Sequence, residues 1–205
     1  MTKMKVNNNI WQGNKDKHTS INPLIKVLMN KYYSDLLKLV KSVNPKKILD
    51  AGCGEGFIAD KMKNMMPQAI IEGVDIEDSY LEYGKSHFKK LILKKGSLYD
   101  IPSEDNTFDL VTCNEVLEHL EYPEKVVKEI VRVSSNYVII SVPNEPYWRI
   151  ANVLRLKYLR DLGNSPGHLN NWTKHKIVIF LTRYGKIEKV KNSTLWTFVL
   201  LSKFK

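Results

Sequence analysis

The chain has 205 residues, 43% of them hydrophobic and 26% charged, enough to bury one full core and unlike a disordered or fibrous composition. No apolar run approaches the roughly 20 residues of a bilayer span. The net charge of +10 is unevenly divided, with +8 in residues 1–47, −8 in residues 48–145 and +10 in residues 146–205.

Residues 1–21 are polar apart from Trp11 and are expected to form a tail or a lid. They lack the apolar stretch of a secretory leader, and Cys53 and Cys113 read as free thiols, so a cytoplasmic location is expected. Asn22-Pro23 has the form of an N-cap and first helical residue, and Ile25, Leu28, Tyr32, Leu36, Leu39 and Val43 keep one face as far as Asn44-Pro45. From Lys46 the pattern alternates: strands over 46–51, 69–75, 91–96, 108–113 and 137–142, with helices over 56–65, 78–87 and 123–133. A basic insertion over 143–172 follows, in which Pro146 to Leu162 reads as a helix with Tyr147, Ala151, Leu154, Tyr158 and Leu162 on one face. A helix over 173–183 and strands over 186–191 and 197–202 end the chain. This order predicts an α/β fold: a Rossmann-like, doubly wound, mostly parallel sheet with a C-terminal antiparallel strand pair in a single domain. Residues 1–45 would be an N-terminal lid and helix, and residues 46–205 the sheet domain.

The most informative stretch is Ile48-Leu49-Asp50-Ala51-Gly52-Cys53-Gly54-Glu55-Gly56-Phe57. A buried strand ends in an acid, three alternating glycines turn the chain, and a helix follows, which is the layout of a nucleoside-binding crossover. A dinucleotide fingerprint would place Gly or Ala where Phe57 stands. The acid followed by Gly-x-Gly-x-Gly instead resembles motif I of class I S-adenosylmethionine (SAM) methyltransferases, and the second strand ends in Asp75, where such folds keep a ribose-binding carboxylate. Gly96-Ser97-Leu98, Phe108 to Val111, Glu115 to Leu120 and Ser141 to Asn144 resemble the family's later segments in order, and Gly163 to Thr173 resembles one common in its small type-11 members. Ser97 departs from the family, which usually has Asp there as the adenine acceptor.

The resemblance implies SAM as cofactor and S-adenosylhomocysteine as product. Asp50, Gly52, Cys53, Gly54, Asp75, Ile76, Ser97, Leu98 and Asn114 are the candidate cofactor-binding residues. His119 is the candidate general base, because histidine titrates near neutrality, and His168 is a second catalytic candidate. Glu115, Glu118 and His119 have i, i+3, i+4 spacing and share one face if the stretch is helical. With His168 they form an alternative divalent-metal set resembling that of small-RNA 3′-terminal 2′-O-methyltransferases, although a metal is not the favoured reading. The expected acceptor is an anionic or amphiphilic small molecule, lipid or glycan, methylated at oxygen. The alternatives are a metal-dependent RNA 2′-O-methyltransferase and a SAM-binding regulatory protein without activity.

Overall fold

The structure, a computed structural model, describes residues 15–154, 159–165 and 167–204. Trp11, expected in the tail or lid, lies outside the described residues, as do Arg155, Lys157 and Tyr158 of the insertion.

Residues 15–19 are helical and precede α1, Pro23–Val43. Asn22 caps α1 through its side chain, which accepts from the Leu24 and Ile25 amides, and Asn44 in the left-handed conformation ends it. The strands are β1 Lys47–Ala51, β2 Ile70–Asp75, β3 Ile92–Lys95, β4 Phe108–Asn114, β5 Ser134–Pro143, β6 Gly185–Ser193 and β7 Trp196–Lys203. The intervening helices are α2 Phe57–Met65, α3 Asp78–His87, α4 Pro123–Val133, α5 Tyr147–Leu154 and α6 Lys174–Leu181. The sheet order is β3-β2-β1-β4-β5-β7-β6, parallel as far as β5, with β7 antiparallel to both its neighbours. This is the architecture the alternation predicts.

Both faces of the sheet are covered, which is why its central strands read as continuous apolar runs. Leu49 and Ala51 of β1, Val111 and Cys113 of β4, and Val138, Ile140 and Val142 of β5 pack under α4 and α6. The alternate residues, Ile48, Leu110, Ile139, Phe198 and Leu200, pack under α1 and α2. On that second face the pattern turns polar at the carboxyl ends: Asp50, Thr112, Asn114 and Ser141 continue the same parity and are buried there.

Two stretches bear on the site. The Glu115–His119 stretch is not an α-helix: Glu115 has φ of 54°, and only Leu117–His119 closes as a 3₁₀ turn. The insertion is helical over Tyr147–Leu154 and forms a 3₁₀ turn over Leu159–Asp161, with residues 155–158 outside the described residues. Of the residues expected on one face, Ala151 is half-buried, and Tyr158 and the Leu154 side chain lie outside the description. Tyr147 and Leu162 are exposed, and the inward positions belong to Trp148 and Asn152. Among the described residues, no helix is long and apolar enough to cross a membrane.

Candidate functional site

The strand order reverses between β1 and β4, and open α/β sheets bind ligands at the carboxyl ends beside that switch point. Asp50 pairs in register with Thr112 there. Its Oδ1 accepts from Thr112 Oγ1 at 2.8 Å and from Asn114 Nδ2 at 3.2 Å. The network continues from Asn114 Oδ1 to Ser141 Oγ at 3.2 Å, and from Ser141 Oγ to the Tyr32 hydroxyl of α1 at 2.9 Å. Asp50 is 1% exposed, and its Oδ2 has no hydrogen-bond partner. Burial pushes its carboxyl up to about 6, against the hydrogen bonds from Thr112 and Asn114. An orphaned carboxylate oxygen at a buried strand end is an acceptor awaiting a donor, and the ammonium and hydroxyl groups of a nucleoside-linked amino acid supply such donors.

The glycine turn is closed on itself. Gly52 and Cys53 donate their amides to the Val74 carbonyl at 2.8 and 3.1 Å, Gly56 donates to Cys53 at 2.9 Å, and Gly54 donates to Asp75 Oδ2 at 2.8 Å. Amides committed in this way do not form a phosphate cradle, so the turn suits a ligand without phosphate. Gly52, Gly54 and Gly56 all have positive φ. A Cβ on Gly52 would stand 2.6 Å from Val116 Cγ2 and 3.4 Å from Leu98 Cδ1, so those two side chains seal the turn's underside.

Asp75 has a structural task besides any ligand contact, since its two oxygens take the Gly54 and Glu77 amides. Burial raises its carboxyl as well. Ile76, beside it, is exposed at the mouth of the strand ends. The Ser97 hydroxyl is engaged inside its own turn, where Oγ accepts from the Tyr99 amide at 3.2 Å. Cys53 Sγ is buried against Gly73 and α3, which leaves the backbone of that residue as the part at the turn.

The expected metal set is brought together only in part. Glu118, His119 and His168 place ligand atoms within 4.8 Å of one another, and the two imidazoles meet edge to face with centroids 4.9 Å apart. Glu118 Oε2 is buried without a hydrogen-bond partner, and burial, then the charge of Glu115, raises its carboxyl far above the ordinary range. Glu115 is not in the cluster: its left-handed backbone turns the carboxylate to Lys17 Nζ, 2.8 Å away. One buried acid and two imidazoles fit a borderline cation better than a hard one. His119 Nδ1 lies 3.0 Å from the Gly167 carbonyl, so that nitrogen carries the proton and Nε2 the lone pair. Burial lowers both imidazoles, His168 to about 4, and both are therefore neutral at pH 7. The loop that delivers His168 is fixed by Asn170, whose Nδ2 donates to the carbonyls of Leu117 and Leu120, and by the Leu169 and Asn170 amides, which donate to the Glu118 carbonyl.

Several contributors escape the sequence reading. Thr112 and Ser141 carry a faint signal, as polar residues inside apolar strand runs. Tyr32 reads as an ordinary core residue, and the Lys17 and Asn170 contacts link positions 98 and 50–53 residues apart.

Residues 49–139 match the family model described as "Methyltransferase domain". The matched residues make up a little under half of the chain and carry its resemblance to class I SAM-dependent methyltransferases. It is 33% identical over 109 residues to the mitochondrial ubiquinone biosynthesis O-methyltransferase of Candida albicans, a match spanning 49% of this chain and 33% of that one. Across the curated relatives compared, the chain spans between a third and a half of their length. The fold is shared with magnesium protoporphyrin IX methyltransferase of Synechocystis PCC 6803 with bound SAH (TM-score 0.69, 14% identity, 90% of this chain and 89% of that one). It is also shared with the methyltransferase domain of bacterial CtHen1 (TM-score 0.67, 23% identity, 87% and 100%).

Proposed function

We propose that this protein transfers a methyl group from SAM to an oxygen of a small-molecule, lipid-linked or glycan-like acceptor. The observation that carries the cofactor half is the unpartnered Oδ2 of buried Asp50, beside a glycine turn whose amides are already committed. In this reading Asp50 holds the methionine end, Asp75 and Ile76 meet the nucleoside, and the backbone of Gly52, Cys53, Gly54 and Leu98 with Asn114 shapes the pocket. Ser97 contributes its backbone rather than its hydroxyl. The sulfonium supplies a methyl group that is already activated, so the protein has only to align the acceptor, exclude water and remove one proton. His119 does the last: Nε2 takes the hydroxyl proton as the carbon–oxygen bond forms and the carbon–sulfur bond breaks, leaving S-adenosylhomocysteine. Gly167 holds the tautomer this requires, and the His168 ring orients His119 edge to face. Support for oxygen comes from the ubiquinone O-methyltransferase relatives. A cytoplasmic setting agrees with two free, buried cysteines.

Labelled SAM offered with separate lipid, metabolite and RNA fractions tests the reading. Label is expected in lipid or small metabolites, with a matching yield of S-adenosylhomocysteine. SAM bound without turnover in any fraction would favour a regulatory protein.

The Glu118–His119–His168 cluster supports a second reading, a metal-dependent RNA 2′-O-methyltransferase. Exhaustive chelation separates the two. Turnover is expected to survive EDTA, because Glu115, the fourth expected ligand, is engaged by Lys17. Loss of activity with recovery on adding Mn²⁺ or Zn²⁺, absent in Glu118→Ala, would put the second reading ahead.

A further inference from the structure

Helix α5 is amphipathic in reverse. Its inward face is fixed by polar contacts: Asn152 Nδ2 donates to the Gly163 carbonyl at 3.0 Å and to Ser165 Oγ at 3.2 Å, and Trp148 Nε1 donates to the same hydroxyl at 2.9 Å. The outward face carries Tyr147, Ile150 and Val153 at three-residue spacing, 58%, 51% and 38% exposed, and Leu162 beyond the helix is 73% exposed. Pro146, Ile150, Val153 and Leu162 line one surface cavity together with Arg149. The inward contacts shown are made by an Asn and a Trp, while aliphatic groups face water. Such an arrangement suits a face that meets an apolar phase.

That face belongs to the end of the sheet where the site lies. Helix α5 starts four residues after β5 ends, and Trp148 shares a cluster with Ile25 and Leu28 of α1. Just outside that cluster Ile21, Leu24 and Val27 are exposed. The two chain segments that carry these residues are strongly basic, +10 over residues 146–205 and +8 over residues 1–47, and Arg149 lies at the face itself, with exposed Arg160 close by in the chain. A second copy of the chain would bring that positive charge against itself, whereas an anionic surface complements it.

We propose that the outward face of α5, with Leu162, docks on an anionic lipid bilayer. Tyr147, Ile150, Val153 and Leu162 enter the boundary between headgroups and acyl chains, and Arg149 and Arg160 meet headgroup phosphates. The Arg149 guanidinium is preset for this: Nε and one terminal nitrogen donate to the Leu162 and Asp161 carbonyls, and its remaining hydrogens serve a phosphate. Docked in this way, the site would take a lipid-borne acceptor from the surface in which it resides. This deepens the acceptor reading above and rests on it only for its purpose, because vesicle binding is measured with neither cofactor nor acceptor present.

The test is cosedimentation of the full chain with phosphatidylcholine vesicles, with and without phosphatidylglycerol. Binding is expected to favour the anionic vesicles and to weaken with salt. Ile150→Ser with Val153→Ser should lower partition by on the order of tenfold or more, since two aliphatic side chains leave the interface. SAM affinity of that variant, read by calorimetry, should not change. Equal or absent binding to the two vesicle types would overturn the proposal, as would undiminished binding by the variant. A concentration-dependent dimer in sedimentation velocity that the same variant abolishes would also overturn it, making this face a self-interface. In any of these outcomes, methyl transfer to a soluble acceptor would still report on the enzymatic reading separately.

Discussion

If Asp50 meets the cofactor as proposed, cofactor binding is coupled to its protonation. Its carboxyl is pushed up to about 6 by burial, from an ordinary value of 3.8. Between those two values the folded protein holds a proton that the unfolded chain has released, so acid stabilises the cofactor-free fold through this group as pH falls across the window. Affinity for a cationic ligand runs the other way, because protonation removes the charge that Oδ2 would offer. Calorimetry from pH 8 to pH 5 is expected to show SAM affinity steady above about 6 and falling by about tenfold per pH unit below it. In Asp50→Asn the affinity should be low throughout and the slope lost. A wild-type profile flat through pH 6 would mean that this carboxylate does not meet the ligand's charge. His168 titrates too, near 4, but its loop is tied to Glu118, Leu117 and Leu120 rather than to the glycine turn.

The turn between β1 and α2 is the element on which the site depends. Gly52 sits at φ of 76°, and an added Cβ would meet Val116 Cγ2 at 2.6 Å. Gly52→Ala combines backbone strain with overpacking, each worth about 1–3 kcal/mol. For a chain of this size the melting temperature should drop by roughly 2–4 °C per kcal/mol. Adding Val116→Ala should restore part of that loss, because it removes the clash and leaves the strain. If Gly52→Ala melts like the wild type, the turn is not packed as described. This element was legible in advance because its chemistry is local: an acid at a strand end, then glycines where φ must be positive. The strands were legible for a related reason, since two buried faces produce unbroken apolar runs and the helices between them alternate at short intervals. The direction in which helix α5 looks was not legible, because apolar periodicity reports which residues share a face and not which way that face looks, and here the inward contacts are made by Asn152 and Trp148. The Glu115 to His119 string failed as a helix for a backbone reason: a φ of 54° at Glu115 breaks the spacing before it starts. The partners of Asp50 beyond Asn114 were hidden because Thr112, Ser141 and Tyr32 meet only once three strands and α1 are assembled.

At the scale of the whole molecule, the N-terminal segment joins parts that the sheet alone leaves apart. Lys15 Nζ lies 4.5 Å from the Tyr83 ring centroid on α3, the His18 ring stacks on Phe57 at the start of α2 with centroids 4.9 Å apart, and Lys17 reaches Glu115 past the end of β4. His18 also hydrogen-bonds the Tyr33 hydroxyl of α1, and burial with the charges of Lys17 and Lys61 drives its imidazole down to about 2, so it stays neutral. Phe57 directly follows the glycine turn and Glu115 directly follows β4, so residues 15–19 link elements that flank the proposed cofactor site and would act as a strap across it. Each contact is modest: a partly exposed ion pair contributes about 0–1 kcal/mol and an aromatic pair about 0.5–1.5 kcal/mol. Together they are enough to slow ligand escape by on the order of tenfold without holding the fold together. Deleting residues 1–20 is therefore expected to speed SAM dissociation in stopped flow by about that factor while lowering the melting temperature by only a few degrees. Lys17→Ala should give a smaller increase, and Glu115→Gln the same one, because both remove the same pair. Should the shortened chain release SAM no faster than the full one, the strap merely packs on the surface and the cofactor is held by the sheet and its turn alone.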